Sequence, residues 1–148
     1  MKTLIVILII AAFLQTTILP LDLVLIILIC RAYVKTNREN LYLAFFFGLL
    51  ISHLSLTLIG VKSILYLVFV QATQLLSKTR LAGNSSVIIP LSFALLFINQ
   101  VTNSYLLATS TQIFPRVLIE SLISLPILYL VRVWEERFIV RGDIKLRV

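Results

Sequence analysis

The side chains best suited to chemistry lie in two long apolar segments near the end of the chain, residues 87–108 and 113–133. They form a polar cluster with one acidic and one basic member: Asn99, Gln100, Asn103, Arg116 and Glu120. Arg116 and Glu120 are four residues apart, which places both on one face of a helix, where the base can neutralise the acid. If the two segments pack as a hairpin, we expect Asn99 or Gln100 to donate a hydrogen bond to Glu120.

This polar cluster has two interpretations. It is either a hydrogen-bond network that joins two helices or a polar site that binds a ligand or a partner helix. The chain has no paired carboxylates at a working spacing, no Ser–His–Asp order and no phosphate-binding glycine loop, so catalysis is not indicated. Metal binding is not indicated either, because His53 and Cys30 fall in different segments and a site needs several convergent ligands. We therefore predict a non-enzymatic protein without a cofactor or metal.

The composition predicts that these residues lie in lipid. The chain of 148 residues is 60% hydrophobic and 13% charged, with a mean hydropathy of +1.08. Soluble domains are about 45–50% apolar and about 25% charged, and a chain this short could not bury so much apolar surface in one core. Continuous apolar runs favour helices over the alternating strands of a β-barrel. The predicted fold is therefore all-α, a polytopic transmembrane helical bundle.

Proline, glycine and charged residues divide the chain into six predicted spans. The spans are residues 4–19, 21–34, 41–59, 62–76, 87–108 and 113–133, and a basic tail follows at 134–148. The first two are shorter than the roughly 20 residues that cross a bilayer. One tilted helix kinked at Pro20 is the alternative and would leave five spans. We favour a hairpin, because Asp22 would otherwise lie in the middle of one long span.

The basic residues predict the orientation of the chain. With the amino terminus inside, only two of the thirteen Lys and Arg residues, Lys62 and Arg116, fall on the outer face. This asymmetry follows the positive-inside rule and places both termini in the cytoplasm. The net charge of +7 does not indicate nucleic acid, because the bases are spread over short loops.

Two further features predict contacts with helices or lipid. A stripe of small residues in the third span would let another helix approach closely, either inside the bundle or from a partner: Ala44, Gly48, Ser52 and Ser55. Trp134 follows the sixth span at the depth where tryptophan anchors a helix in the membrane interface. The tail alternates apolar and basic residues, which predicts that it lies on the anionic cytoplasmic leaflet, with docking on a cytoplasmic partner as the alternative.

Short motifs in residues 10–75 follow a recognisable order. An early glutamine precedes a short turn, a proline and an aspartate open the second span, and the sequence FGLL in the third span is followed by a glycine turn. The positions are Gln15, Pro20, Asp22, Phe47, Gly48, Leu49, Leu50 and Gly60. This pattern resembles the rod shape-determining protein MreD family, whose acidic third-span position is Ser52 in this chain.

The resemblance implies a non-enzymatic scaffold in the bacterial cytoplasmic (inner) membrane, within the cell-shape and elongation machinery. It also implies a bitopic MreC-like partner and, indirectly, the actin-like MreB and the peptidoglycan synthases. A bundle with short loops offers mainly helix faces to such partners.

Other small membrane proteins provide the alternatives. The main one is the substrate-capture S component of an energy-coupling-factor vitamin transporter, in which the polar cluster would line an outward-opening cavity. A lipid-handling protein or channel is the third possibility. A polar cavity near the outer leaflet would favour the S component, whereas a lipid-facing groove over a dry interior would favour the scaffold.

Overall fold

The computed structural model describes residues 2–18, 21–79, 84–108 and 112–143. These residues form α-helices and one short 3₁₀ helix, so the predicted all-α class is confirmed for the described part of the chain. The six helices found there are α1 (Lys2–Thr17), α2 (Leu23–Val34), α3 (Arg38–Leu54), α4 (Val61–Ser77), α5 (Ile88–Leu107) and α6 (Ile113–Asp143). The 3₁₀ helix, Ser85–Val87, leads directly into α5.

The helix boundaries differ most from the predicted spans at α3, which covers Arg38–Leu54 rather than residues 41–59, and at α6. The first two spans form separate helices, since α1 ends at Thr17 and α2 begins at Leu23, as the hairpin interpretation requires. Pro20, where a single helix would kink, lies outside the described residues. The helix α6 continues through residue 133 to Asp143, so the predicted start of the tail is not a helix end. The predicted contact of the tail with a lipid leaflet involves side chains after residue 137, which lie outside the described part of the chain.

Successive helices run in opposite directions. The last residues of α1, α3 and α5 and the first residues of α2, α4 and α6 meet around one cleft, and we call this side of the bundle the cleft end. At the opposite end, the buried Arg31 of α2 directs its Nε to Oε1 of Glu135 on α6, at 3.3 Å. Lys35 adds a second ion pair to Glu135, with Nζ 3.8 Å from Oε2. The helices α2 and α6 therefore run in the same direction and are joined at both ends.

The small-residue stripe of α3 packs inside the chain. Ala44 and Ser52 are fully buried, and a Cβ atom added to Gly48 would lie 2.5 Å from Cα of Ser63 on α4. Such a close backbone approach is what small residues permit between helices. These three stripe positions are therefore not available to an outside partner, whereas Ser55 is exposed and lies on the cleft wall.

Large apolar side chains cover much of the outside of the bundle, while charged and amide groups are buried within it. Exposed examples from several helices are Val6, Phe13, Phe46, Ile64, Tyr105 and Leu122. Buried polar examples are Asp22, Arg31, Asn99, Gln100, Glu120 and Glu135. By length and composition, one segment of the described helices, Ile113–Arg137, could cross a membrane, and α1, α2 and α4 are apolar but shorter.

The contact between Gly48 and Ser63 yields a stability prediction. Replacing Gly48 with valine is expected to lower the free energy of unfolding by about 1–3 kcal/mol, because the new side chain would overlap the backbone of α4. The measurement is the thermal unfolding of detergent-solubilised protein, with Ser55→Ala as the control from the same stripe. Equal unfolding temperatures for the two variants would contradict the close packing of α3 on α4.

Candidate functional site

Asp22 is the centre of a buried hydrogen-bond network at the cleft end. Its side chain is nearly inaccessible, and three amide side chains donate to it. Gln15 Nε2 lies 3.0 Å from Oδ1, and Asn99 Nδ2 and Gln100 Nε2 each lie 2.9 Å from Oδ2. A buried carboxylate needs such donors, because no water replaces them in an apolar interior. The network therefore links α1 and α5 to the start of α2.

The local sequence explains how Gln15 and Asp22 come together. Asp22 directly precedes α2, but its carboxylate does not cap that helix. The amide oxygen of Gln15 accepts a hydrogen bond from the backbone N–H of Val24 instead, at 3.2 Å. This satisfies one of the donors that a helix leaves unpaired in its first turn. The Gln15 amide thus binds the Asp22 carboxylate through its nitrogen and the first turn of α2 through its oxygen.

Glu120 on α6 joins the same network through its Oε1 atom. This atom accepts hydrogen bonds from the backbone N–H of Asp22 and from Nε of Arg116, each at 3.2 Å. Glu120 is fully buried, whereas the Arg116 side chain is 29% exposed. The predicted neutralisation of Glu120 by Arg116 one helical turn away is therefore present as an ion pair.

The predicted hydrogen bond from α5 to Glu120 is not formed. Asn99 and Gln100 donate to Asp22, because the start of α2 lies against both α5 and α6 at this level. The helices α5 and α6 meet each other directly farther from the cleft end, where the hydroxyl oxygens of Ser92 and Ser124 are 3.0 Å apart. Asn99, Gln100 and Glu120 therefore do not bind one another, and each of them binds Asp22 instead.

A polar cleft of about 300 Å³ opens beside this network. Lys62 and Arg116 contribute positive charge to its wall, and Asp22 contributes its carboxylate. Hydroxyl and amide groups form most of the remaining wall, among them Thr16, Ser55, Thr57, Gln100 and Asn103. Its volume is at the lower limit of small-molecule binding sites, which are about 300–1,000 Å³. The arrangement can therefore hold a small polar ligand.

The structure brings together all five residues of the predicted polar cluster. Asn99, Gln100, Arg116 and Glu120 share the Asp22 network, and Asn103 lies on the cleft wall. Sequence reasoning did not assign Gln15, Asp22 and Lys62 to this site. The signal that could have indicated Asp22 is that a carboxylate inside an apolar segment needs a polar partner.

Apart from Ser55, the other candidate positions lie away from the cleft. Trp134 is half-buried and packs against the core near the opposite end of α6. Ser52 donates its hydroxyl to the carbonyl of Gly48 in its own helix, at 2.9 Å. Among the described residues, no group of three or more His, Cys, Asp or Glu side chains is placed to hold a metal ion.

Comparison of the chain with protein-family models, with characterised proteins and with solved structures finds no match. A functional assignment therefore depends on the bundle, its surface and the motifs described above.

The Asp22 network yields a second stability prediction. Asp22→Leu removes the acceptor of three buried amide groups and is expected to lower the free energy of unfolding by about 1–3 kcal/mol. Thermal unfolding in detergent measures the change. Asn103→Ala is the control, because Asn103 makes no side-chain hydrogen bond within the described part of the chain. If the two substitutions had equal effects, the network would not be what stabilises the cleft end.

Proposed function

We propose that the chain is a multi-pass membrane protein whose described helices all lie in the bilayer. The apolar outer surface and the inward polar side chains support this proposal, since lipid contacts apolar side chains and polar groups within a bilayer face the bundle interior. The helix α2 has 12 residues and is about 18 Å long, less than the roughly 30 Å of a hydrocarbon core. The polar cleft lies at its amino end, where it would occupy part of the remaining depth.

The distribution of cations supports an orientation with both termini in the cytoplasm. Lys62 and Arg116 lie at the cleft end, which is the proposed outer side. Basic residues at or near the opposite end of the described helices are Lys2, Arg31, Lys35, Arg38, Lys78, Arg132 and Arg137. Cytoplasmic loops of membrane proteins carry such an excess of Lys and Arg.

Labelling in intact cells tests this orientation. A cysteine at Leu58, an exposed position in the turn before α4, is expected to react with a membrane-impermeant maleimide. A cysteine at the exposed Lys78 position is expected to react only after the membrane is opened. The native Cys30 is fully buried and serves as the unreactive background. Labelling of the Lys78 position in sealed cells would reverse the orientation.

We further propose that the protein is a non-enzymatic scaffold subunit of the bacterial cell-shape machinery, similar to MreD. The positions that carry the resemblance have specific structural roles, which supports this proposal. Gln15 binds Asp22, and Gly48 permits the close approach of α4. Gly60 adopts a φ of +98°, a conformation that residues with a Cβ rarely take, in the turn before α4.

The observation that carries the scaffold proposal is an apolar groove of about 500 Å³ on the outside of the bundle. We call it the α6 groove, and residues of α1, α2 and α6 form it, including Leu4, Ile7, Ile27, Ile127, Leu130 and Trp134. Membrane helices associate by van der Waals packing, for which such an apolar groove offers a complementary surface. Its occupant in this proposal is the membrane helix of a bitopic MreC-like partner, through which MreB and the peptidoglycan synthases are reached.

Site-specific photo-crosslinking tests the α6 groove. A photoreactive phenylalanine derivative at Leu130, which is 65% exposed, is expected to form an adduct with a bitopic membrane protein in native membranes. The matched control is Leu122, which is 60% exposed on the same helix but lies outside the groove. Adducts of equal yield at both positions, or none at Leu130, would argue against a partner in the groove.

The polar cleft favours a second candidate function, the substrate-capture subunit of an energy-coupling-factor transporter. Its wall includes Gln100, Asn103 and Arg116, which the sequence assigns to an outward-opening cavity in that case. The same native membranes distinguish the two functions. Purification of the tagged protein would recover a pair of ATPase subunits if it captured a substrate for a transporter, and a bitopic protein if it were a scaffold.

A further inference from the structure

Two cations on the cleft wall have bonding capacity that the polar network does not use. Within the described part of the chain, no hydrogen bond or ion pair engages the ammonium group of Lys62, which is half-buried. Arg116 uses its Nε atom for Glu120, and the terminal nitrogens of its guanidinium group make no hydrogen bond to the described residues. These donors are therefore available to a ligand in the cleft.

Both cations lie in the first turn of a helix. Lys62 is the second residue of α4 and Arg116 is the fourth residue of α6. The first turn of a helix carries partial positive charge, so acidic side chains stabilise it and cations oppose it. No acidic residue occupies the first turn of either helix. Arg116 is offset by its ion pair with Glu120 one turn later, whereas α4 contains no acidic residue that could offset Lys62.

Asp22 also lines the cleft, so the wall carries one carboxylate beside its two cations, but this carboxylate accepts no hydrogen bond from either cation. Both oxygens of Asp22 accept hydrogen bonds from amide groups, and Glu120 is fully buried behind the wall. No ion pair joins Lys62 to either carboxylate among the described residues. A ligand in the cleft would contact the two cations beside hydroxyl and amide side chains, with Asp22 already engaged by its three amide donors.

We propose that the cleft binds a phosphate group carried on a small hydroxyl-rich body, either as a free solute or as a lipid head group. The free edge of the Arg116 guanidinium and the ammonium of Lys62 are donors of the kind that phosphate oxygens accept, and their charge is opposite to that of phosphate. The volume of about 300 Å³ also accommodates the attached body, whose hydroxyls meet Thr16, Ser55, Thr57 and Asn103. This inference goes beyond the scaffold function and does not depend on it.

Glycerol 3-phosphate is the soluble probe of this site. The protein is reconstituted in nanodiscs of phosphatidylcholine, and binding of the radiolabelled probe is measured by equilibrium dialysis. Lys62→Gln is expected to weaken binding about tenfold, as loss of a charged hydrogen-bond donor does. Lys78→Gln removes the same charge at the opposite end and is expected to change binding less than about twofold. Equal affinity of the two variants overturns the proposal.

Phosphatidylglycerol is the probe for the second possibility, in which the phosphate group belongs to a lipid head group. In nanodiscs that contain both lipids, native mass spectrometry is expected to find phosphatidylglycerol retained by the wild-type protein and by Lys78→Gln, but lost from Lys62→Gln. Binding of glycerol 3-phosphate alone assigns a soluble ligand, and retention of phosphatidylglycerol alone assigns a lipid. If neither probe binds, the phosphate proposal is overturned. That result does not bear on the scaffold proposal, which crosslinking at Leu130 in the α6 groove tests separately.

Discussion

A carboxylate buried among apolar helices must receive hydrogen bonds, and this requirement organises the cleft end of the bundle. Asp22 obtains three from amide side chains on α1 and α5, and its backbone N–H binds Glu120 on α6. Four helices are therefore held at one level by one residue and its neighbours. Their relative heights follow from this contact, since Gln15 and Asn99 reach Asp22 only if the helix ends are aligned.

A second buried charge fixes the other end of α2. Arg31 is 2% exposed and pairs with Glu135, so that α2 is bound to α6 near both of its ends. An unpaired buried charge is strongly destabilising, so loss of either Arg31 or Glu135 would destabilise the packing of α2 on α6. Because α2 packs against both α6 and α1, the α6 groove lies over α2 between these two helices.

The two surfaces with functional potential have different chemistry and lie at opposite ends of the same helix. Arg116 in the first turn of α6 contributes to the polar cleft, and Trp134, eighteen residues later in the chain, contributes to the apolar groove. At 1.5 Å per residue, about 27 Å of helix separates them. A partner helix and a polar ligand could therefore be held at the same time, each by the forces suited to its environment.

The amino-acid sequence by itself determined the all-α class, the approximate helices and the helix faces on which polar residues lie. Apolar runs, helix breakers and four-residue spacings are local properties, and local properties are sufficient to define these features. Only the tertiary structure decided which faces meet: Asn99 binds Asp22, 77 positions earlier in the chain, and the stripe containing Gly48 packs on α4. The partner of a helix face depends on which other helix lies against it, and no local spacing encodes that choice.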